Sequence, residues 1–221
     1  EQTLNAVAAD FTGDKKVDII VNNAVIQYNW VSILEQDEAD YEGQFRSCVL
    51  HNVFMTKAFV PAMIEKNHGR VIGISTECVM QNFPNQSAYV SGKRGMDGVF
   101  RVLAREIGEH QITVNQVAPG YTVSDRNREA GTERAPEYEK NVALKRRGTD
   151  QEIANVVAFL ASDLASHVTG CVFRLGAGKI GLYSHPTEVR SIYRNFEEQG
   201  PWPLEELQQI LPGTVLGGET K

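Results

Sequence analysis

The sequence predicts a doubly wound α/β fold, in which helices cover both faces of a parallel sheet. Four short apolar runs have the length of strands that are buried on both faces, and helical patterns separate them. These runs are residues 17–21, 70–75, 112–118 and 170–175. Because strands alternate with helices of this length, neighbouring strands are expected to lie parallel.

The helices are predicted from the period of their apolar residues. Apolar residues recur at spacings of three, four and seven in segment 45–64, and segment 96–107 has the same spacing. A third helix is expected to begin at Thr149, because Thr149 and Glu152 stand at the spacing of a capping box. Residues 125–148 are rich in charge and have no clear period, so a mobile excursion is predicted there.

Composition narrows the class of protein. The 221 residues are 42% hydrophobic, which suffices for one substantial core. The net charge of −6 argues against a nucleic-acid partner, and no apolar run approaches the roughly 20 residues that span a membrane. Cys48, Cys78 and Cys171 are too far apart for a metal or redox motif. We therefore expect a cytoplasmic protein without a metal site.

One short segment carries residues suited to acid–base chemistry. Tyr89 and Lys93 stand four residues apart on a predicted helix, 13 residues after Thr76. Because positions four apart share one helix face, the Lys93 ammonium can lie beside the Tyr89 phenol and lower its pKa from about 10. Such a phenol could exchange a proton with an alcohol or a carbonyl. The alternative is that both are surface residues of an amphipathic helix.

Five motifs, in order, resemble those of the short-chain dehydrogenase/reductase family. They are Asn22-Asn23-Ala24, the segment 69–76 ending in Thr76, the pair Tyr89 and Lys93, the segment 114–120 ending in Pro119-Gly120, and Val168-Thr169-Gly170. The likeness extends from Val17 to Gly178. It implies a Rossmann-like fold and hydride transfer between a nicotinamide cofactor and a carbonyl or a secondary alcohol.

The resemblance also implies roles for individual residues. Tyr89 would be the acid/base, Lys93 would hold the cofactor ribose and tune Tyr89, and Thr76 would hydrogen-bond the substrate oxygen. Ser124 falls where a hydroxyl usually meets the cofactor carboxamide. The positions implied to contact the cofactor are Asn23, Ala24, Val25, Lys93, Pro119, Gly120 and Ser124.

Several of these positions depart from the family pattern. Val25 replaces a glycine, and its branched Cβ would crowd the cofactor. Cys48 falls on the family's helix asparagine, which organises a proton-relay water, and a thiol replaces an amide carbonyl poorly. Thr76 replaces the usual serine, and Arg174 opens a segment where a D-G-G ending is common.

The resemblance also predicts an incomplete fold. Residues before Val17 contain no glycine-rich turn for a pyrophosphate, and Glu1 would fall inside the third helix of the family fold. The predicted organisation is a partial Rossmann-like domain that lacks its first strands and helices, residues 1–178. A C-terminal helical extension, residues 179–221, is expected to act as an interaction arm.

Three functions are compatible with this pattern. The first is a non-catalytic subunit that joins an intact paralogue in a hetero-oligomer, expected to be a tetramer. The assembly would be an NAD-dependent dehydrogenase that oxidises a secondary alcohol such as a β-hydroxyacyl-CoA, while this chain alone would bind no cofactor. This arrangement is similar to the heteromeric dehydrogenase acting on hydroxybenzylsuccinyl-CoA. Helices 38–66 and 88–109 would form the subunit interface.

The second function is an active NAD(P)-dependent oxidoreductase that uses Tyr89, Lys93 and Thr76. The third, a small-molecule sensor, has no specific support. One basic run, Lys145-Arg146-Arg147, either is solvated or meets the phosphates of an acyl-CoA.

Overall fold

The computed structural model describes residues 7, 9–11, 16–81, 83–129, 131, 133–176, 179–183, 196–201, 203 and 205–206. The chain divides into two compact units, Glu1–His185 and Pro186–Lys221. In the second unit, the described residues include one short helix, α8 (Phe196–Gln199).

The first unit is built on a five-stranded sheet with the order β1-β2-β3-β6-β7. Its strands are β1 (Ile19–Asn22), β2 (Gly69–Ile74), β3 (Ile112–Pro119), β6 (Val172–Gly176) and β7 (Lys179–Tyr183). The first four strands are parallel, and β7 pairs antiparallel with β6. A separate pair of two-residue strands joins β4 (Thr122–Val123) to β5 (Gly148–Thr149). The prediction of a parallel α/β sheet is confirmed.

Helices cover both faces of this sheet. The larger helices are α1 (Glu38–Phe45), α2 (His51–Lys66), α4 (Ser87–Ile107) and α7 (Asp150–Ala161), and a four-residue helix, α3 (Cys78–Gln81), precedes α4. Val71 of β2 packs with α2 and α4 in one apolar cluster, whereas Ile72 packs with α7 in another. Because successive strand residues point to opposite faces, the sheet buries apolar side chains on both sides. The sheet is therefore doubly wound, as predicted.

A π-helical turn, Arg46–Leu50, joins α1 to α2. By length and composition alone, the helical stretch Glu38–Lys66 could cross a membrane. Its Phe59 and Met63 instead lie in the apolar cluster against the sheet, as in a core helix. The predicted cytoplasmic location stays a prediction.

The charged segment 125–148 contains regular structure that the sequence analysis missed. It holds α5 (Asp125–Glu129) and α6 (Pro136–Lys140), each five residues long. Helices of this length are too short to show a 3.6-residue period. The capping box of α7 is confirmed, since the Glu152 N–H donates to Thr149 Oγ1 at 3.2 Å and the Thr149 N–H donates to Glu152 Oε2 at 2.8 Å.

The first compact unit ends at His185, beyond the boundary predicted after residue 178. The reason is β7, which pairs with β6 from Lys179 to Tyr183. Most of the predicted helical extension lies outside the described residues, and so does Glu1, which was placed in the third helix of the family fold. The role of the extension as an interaction arm stays a prediction.

Candidate active site

A cavity of about 460 Å³ opens at the carboxyl ends of the parallel strands, where open α/β sheets bind ligands. We call it the central cavity. Its lining includes Thr76, which follows β2, Tyr89 of α4, and Pro119-Gly120 at the end of β3. Tyr28 and Trp30, from the loop after β1, complete one side. The cavity thus brings together the acid–base and strand-end residues that the sequence placed far apart.

Backbone hydrogen bonds fix the position of Thr76. The Ser75 N–H donates to the Val117 carbonyl at 2.7 Å, and the Glu77 N–H donates to the Pro119 carbonyl at 2.9 Å. These two bonds hold the chain on either side of Thr76 against β3. The Thr76 side chain is buried, and it lines the central cavity together with Tyr89. The structure therefore brings these two side chains to the same cavity, and their catalytic roles stay predictions.

Tyr89 is enclosed by aromatic residues. Its backbone N–H donates to the Tyr28 hydroxyl at 2.7 Å, and its ring stacks on Trp30 with 6.2 Å between ring centroids. Burial raises the pKa of Tyr89 to about 12, although the nearby Thr76 side chain acts to lower it. The prediction of a lowered pKa is wrong, because desolvation of the phenol outweighs any stabilisation of phenolate.

Lys93 lies beside Tyr89, as the four-residue spacing predicts. Its Nζ is 5.9 Å from the centroid of the Tyr89 ring. The same ammonium donates a hydrogen bond of 2.6 Å to the carbonyl of Ile74, the last residue of β2. The side chain is buried, and this burial lowers the pKa of Lys93. The cation is thus anchored to the strand end behind the phenol.

Cys48 lies in the π-helical turn, next to the side chain of Gln44 in α1, which the sequence analysis missed. The Cys48 thiol donates to Gln44 Oε1 at 3.7 Å, and Gln44 Nε2 donates to the Ile26 carbonyl at 2.6 Å. A Cβ on Gly92 would lie 3.0 Å from the Gln44 carbonyl oxygen, so α1 and α4 are closely packed here. The amide that joins this helix to the loop after β1 therefore comes from Gln44, one turn before Cys48.

The residues proposed to contact a cofactor are only partly gathered. Pro119 and Gly120 line the central cavity, whereas the other five candidates lie outside its lining. Asn23 and Ala24 are exposed after β1, and Val25 is half-buried. Ser124 is exposed, and its hydroxyl donates to Asn127 Oδ1 at 2.8 Å.

The cavity fits the nicotinamide end of a dinucleotide. Its volume lies in the range of small-molecule sites, and the hydroxyls of Thr76 and Tyr89 face it beside the strand end at Pro119-Gly120. A flat ring at this strand end would stand next to both hydroxyls. That arrangement would suit the transfer of a hydride from the ring to a carbonyl held by Thr76 and Tyr89.

A buried ion pair, also missed by the sequence analysis, lies next to Thr76. Arg174 of β6 donates to Glu77 Oε2 from Nε at 3.3 Å and from Nη2 at 3.1 Å. The side chains of Glu77 and Arg174 are only 5% and 17% exposed. The signal in the sequence that could have revealed this ion pair is Glu77, a charged residue directly after Thr76. Arg174 thus belongs to an ion pair, beyond being a departure from the family's D-G-G ending.

A second cavity, of about 750 Å³, lies beside the first, and we call it the lateral cavity. Glu77, Phe83 and Tyr121 line both. Its outer wall comes from α6, where Tyr138 stacks on Tyr121 with 5.0 Å between ring centroids.

The basic run 145–147 is engaged within the chain. Lys145 Nζ donates to the Lys140 carbonyl at 2.6 Å, and Arg146 binds both carboxylate oxygens of Glu152. Arg147 is 8% exposed and lies 4.8 Å from the Tyr121 ring centroid. The prediction that this basic run is solvated is therefore wrong for Arg147, which lines the central cavity.

Comparison with known proteins agrees with this geometry. A family model described as enoyl-(acyl carrier protein) reductase matches residues 1–179. The 3-oxoacyl-[acyl-carrier-protein] reductase FabG of Escherichia coli (strain K12) is 36% identical over 179 residues, which cover 80% of this chain and 71% of that protein. The chain belongs to the short-chain dehydrogenase/reductase family.

Solved structures of similar proteins have the same fold. A putative betaketoacyl-ACP reductase superposes with a TM-score of 0.70 and 32% identity, covering 80% of this chain and 72% of that one. A halohydrin dehalogenase bound to ethyl (2S)-oxiran-2-ylacetate also gives a TM-score of 0.70, with 26% identity over 84% of this chain and 76% of the other. The family and the Rossmann-like fold implied by the sequence motifs are thus confirmed.

Proposed function

We propose that this short-chain dehydrogenase/reductase reduces the carbonyl of a 3-oxoacyl-type substrate, with a reduced nicotinamide cofactor as hydride donor. The observation that carries the proposal is that the side chains of Thr76 and Tyr89 both line the central cavity at the carboxyl ends of the strands. A pKa of about 12 keeps Tyr89 protonated at neutral pH, as a proton donor must be. The 3-oxoacyl substrate is proposed from the similarity to 3-oxoacyl-[acyl-carrier-protein] reductases.

The chain's own residues bind and protonate the substrate oxygen. The cofactor, when bound, would supply the hydride to the carbonyl carbon. The hydroxyls of Thr76 and Tyr89 would donate hydrogen bonds to the carbonyl oxygen and so polarise the bond. Tyr89 would give its proton to that oxygen as the alcohol forms. The Lys93 ammonium, 5.9 Å from the Tyr89 ring, would then stabilise the phenolate that remains.

Substitution of Tyr89 tests this proposal. With a 3-oxoacyl thioester and either NADH or NADPH, we expect Tyr89→Phe to slow cofactor oxidation by about 100-fold or more. Tyr41→Phe is the matched control, because the Tyr41 hydroxyl bonds the Ser87 hydroxyl and does not line the central cavity. An unchanged rate in Tyr89→Phe would refute the assignment.

A second candidate is the non-catalytic subunit of a hetero-oligomeric NAD-dependent dehydrogenase. Three observations favour it: Cys48 replaces the relay amide, Lys93 is tied to Ile74, and Trp30 stacks on Tyr89. Phe45 of α1 and Val102 of α4 are 51% and 56% exposed, which would suit a helical interface with a paralogue.

The two candidate functions predict different results when the chain is purified alone and when it is co-expressed with a paralogue. A non-catalytic subunit would bind no nicotinamide cofactor by itself, and Tyr89→Phe would leave the rate of the assembly intact. A reductase would bind the cofactor and turn over alone.

A further inference from the structure

The Glu77–Arg174 ion pair stands between the central and lateral cavities. A Cβ on Gly120, which lines the central cavity, would lie 2.9 Å from Glu77 Oε1. A Cβ on Gly176, which lines the lateral cavity, would lie 2.8 Å from Glu77 Oε2. Glycine at both positions therefore makes room for the carboxylate. The ion pair therefore lies at the boundary of the two cavities, where Glu77 lines both and Arg174 lines the lateral cavity.

The rest of the lateral cavity is mainly apolar. Phe83, Tyr121 and Tyr138 contribute aromatic rings, and Pro136 and Val142 contribute aliphatic surface. A volume of about 750 Å³ is large enough for a ring or a short branched chain. The cavity thus offers apolar walls, and its polar lining consists of the ion pair together with Gln81, Glu137 and Asn141.

We propose that the lateral cavity binds the part of the substrate distal to the reacting carbonyl, an apolar ring or short chain that ends in a neutral hydrogen-bonding group. Hydroxyl and amide are the groups with this chemistry. The inference rests on the proposed reductase function and deepens it, because Glu77 directly follows Thr76 and joins this cavity to the catalytic hydroxyls.

A neutral group fits because both charges of the pair already have counter-charges. A hydroxyl can donate to the Glu77 carboxylate and accept from the Arg174 guanidinium. A ligand carboxylate would meet the negative Glu77, and a ligand ammonium would meet the positive Arg174. A methyl group would remove water from the ion pair and give no hydrogen bond in return.

Three matched ligands test the preference. They are N-acetylcysteamine thioesters of a 3-oxo-5-phenylpentanoate skeleton, with methyl, hydroxyl or carboxylate at the para position of the ring. Calorimetry on the whole chain should give the hydroxyl ligand a Kd about tenfold or more below those of the other two. Equal affinities, or a preference for methyl or carboxylate, would overturn the proposal.

Two variants connect the preference to the ion pair. Glu77→Leu/Arg174→Leu removes both charges together, so no unpaired charge stays buried, and the methyl ligand should then bind at least as tightly as the hydroxyl ligand. Asp18→Ala/Lys66→Ala is the control, since it removes an exposed ion pair next to the amino end of β1. It should keep the hydroxyl preference.

Glu77→Gln provides an independent readout if the double variant fails to fold. It preserves the side-chain shape and leaves the Arg174 charge without its carboxylate, so the carboxylate ligand should gain the most affinity. A hydroxyl preference unchanged in Glu77→Gln would contradict the role of the pair. If the chain reduces the substrate but shows no preference for the hydroxyl ligand, this inference alone is contradicted. If it prefers the hydroxyl ligand but transfers no hydride, the proposed function alone is contradicted.

Discussion

At the scale of single residues, sequence spacing predicted contacts better than it predicted chemistry. Tyr89 and Lys93 share a helix face, as expected. The pKa of Tyr89 depends on burial, however, and that burial includes Tyr28, which is 61 positions away along the chain. The sequence around Tyr89 does not show that Tyr28 will lie next to it. The direction of the pKa shift of Tyr89 therefore could not be predicted from the helix alone.

The raised pKa of Tyr89 predicts opposite pH dependences for the two directions of reaction. Reduction needs the protonated phenol, which persists to about pH 12, so Tyr89 should cause no loss of rate between about pH 6 and 9. Oxidation of the alcohol needs phenolate, whose fraction should rise about tenfold per pH unit over that range. Values of kcat/KM in both directions test this. An oxidation rate that levels off near pH 7 would show that the pKa of Tyr89 is lowered.

Gln44 carries a prediction on stability. Gln44→Leu would remove the hydrogen bond to the Ile26 carbonyl and lower the free energy of unfolding by about 1–3 kcal/mol. Denaturant titration measures this loss. The control Gln151→Leu, on an exposed helix surface, should change it by less than about 0.5 kcal/mol. Equal effects of the two substitutions would contradict a special role for Gln44.

At the scale of elements, structure stabilised by local contacts was predictable and structure stabilised by distant contacts was not. The capping box of α7 involves residues three apart, Thr149 and Glu152, and the sequence predicted it. Helices α5 and α6 lie in a segment held by Arg147, whose guanidinium donates to the carbonyls of Glu133 and Thr122. This arginine reaches 25 positions back along the chain to Thr122, beyond any helical period.

The start of α7 predicts a stability change in acid. Hydrogen bonds from Arg146, and then from the Thr149 backbone, lower the pKa of Glu152 to about 2. A lowered carboxyl pKa stabilises the folded state above the unfolded value, near about 4.3, and this contribution disappears as the pH falls toward about 2.

Glu152→Gln should therefore reduce the free energy of unfolding at neutral pH and leave it nearly unchanged near pH 2. The loss should stay below about 1 kcal/mol, because the Glu152 side chain is 44% exposed. Denaturant titration at the two pH values measures the difference. Equal losses at both would exclude the ion pair as the cause.

At the scale of the whole molecule, the parallel sheet was predictable because each buried strand is a continuous apolar run. Thr76 and Tyr89, the proposed catalytic residues, were found through ordered motifs, one after β2 and one on α4. The lateral cavity was not, because its walls come from the loop after β2, from α6 and from the end of β6. Only the assembled sheet brings Glu77 and Arg174, 97 positions apart, into one ion pair.

The central claim is that this chain itself transfers hydride with Tyr89 as proton donor. Its most direct test is a single turnover of a 3-oxoacyl thioester by the isolated chain with a reduced nicotinamide that carries deuterium at the transferable position. Mass spectrometry should find deuterium on the carbinol carbon of the product, and the rate should fall about 100-fold or more in Tyr89→Phe. A product without deuterium, or an equal rate in Tyr89→Phe, would contradict the claim.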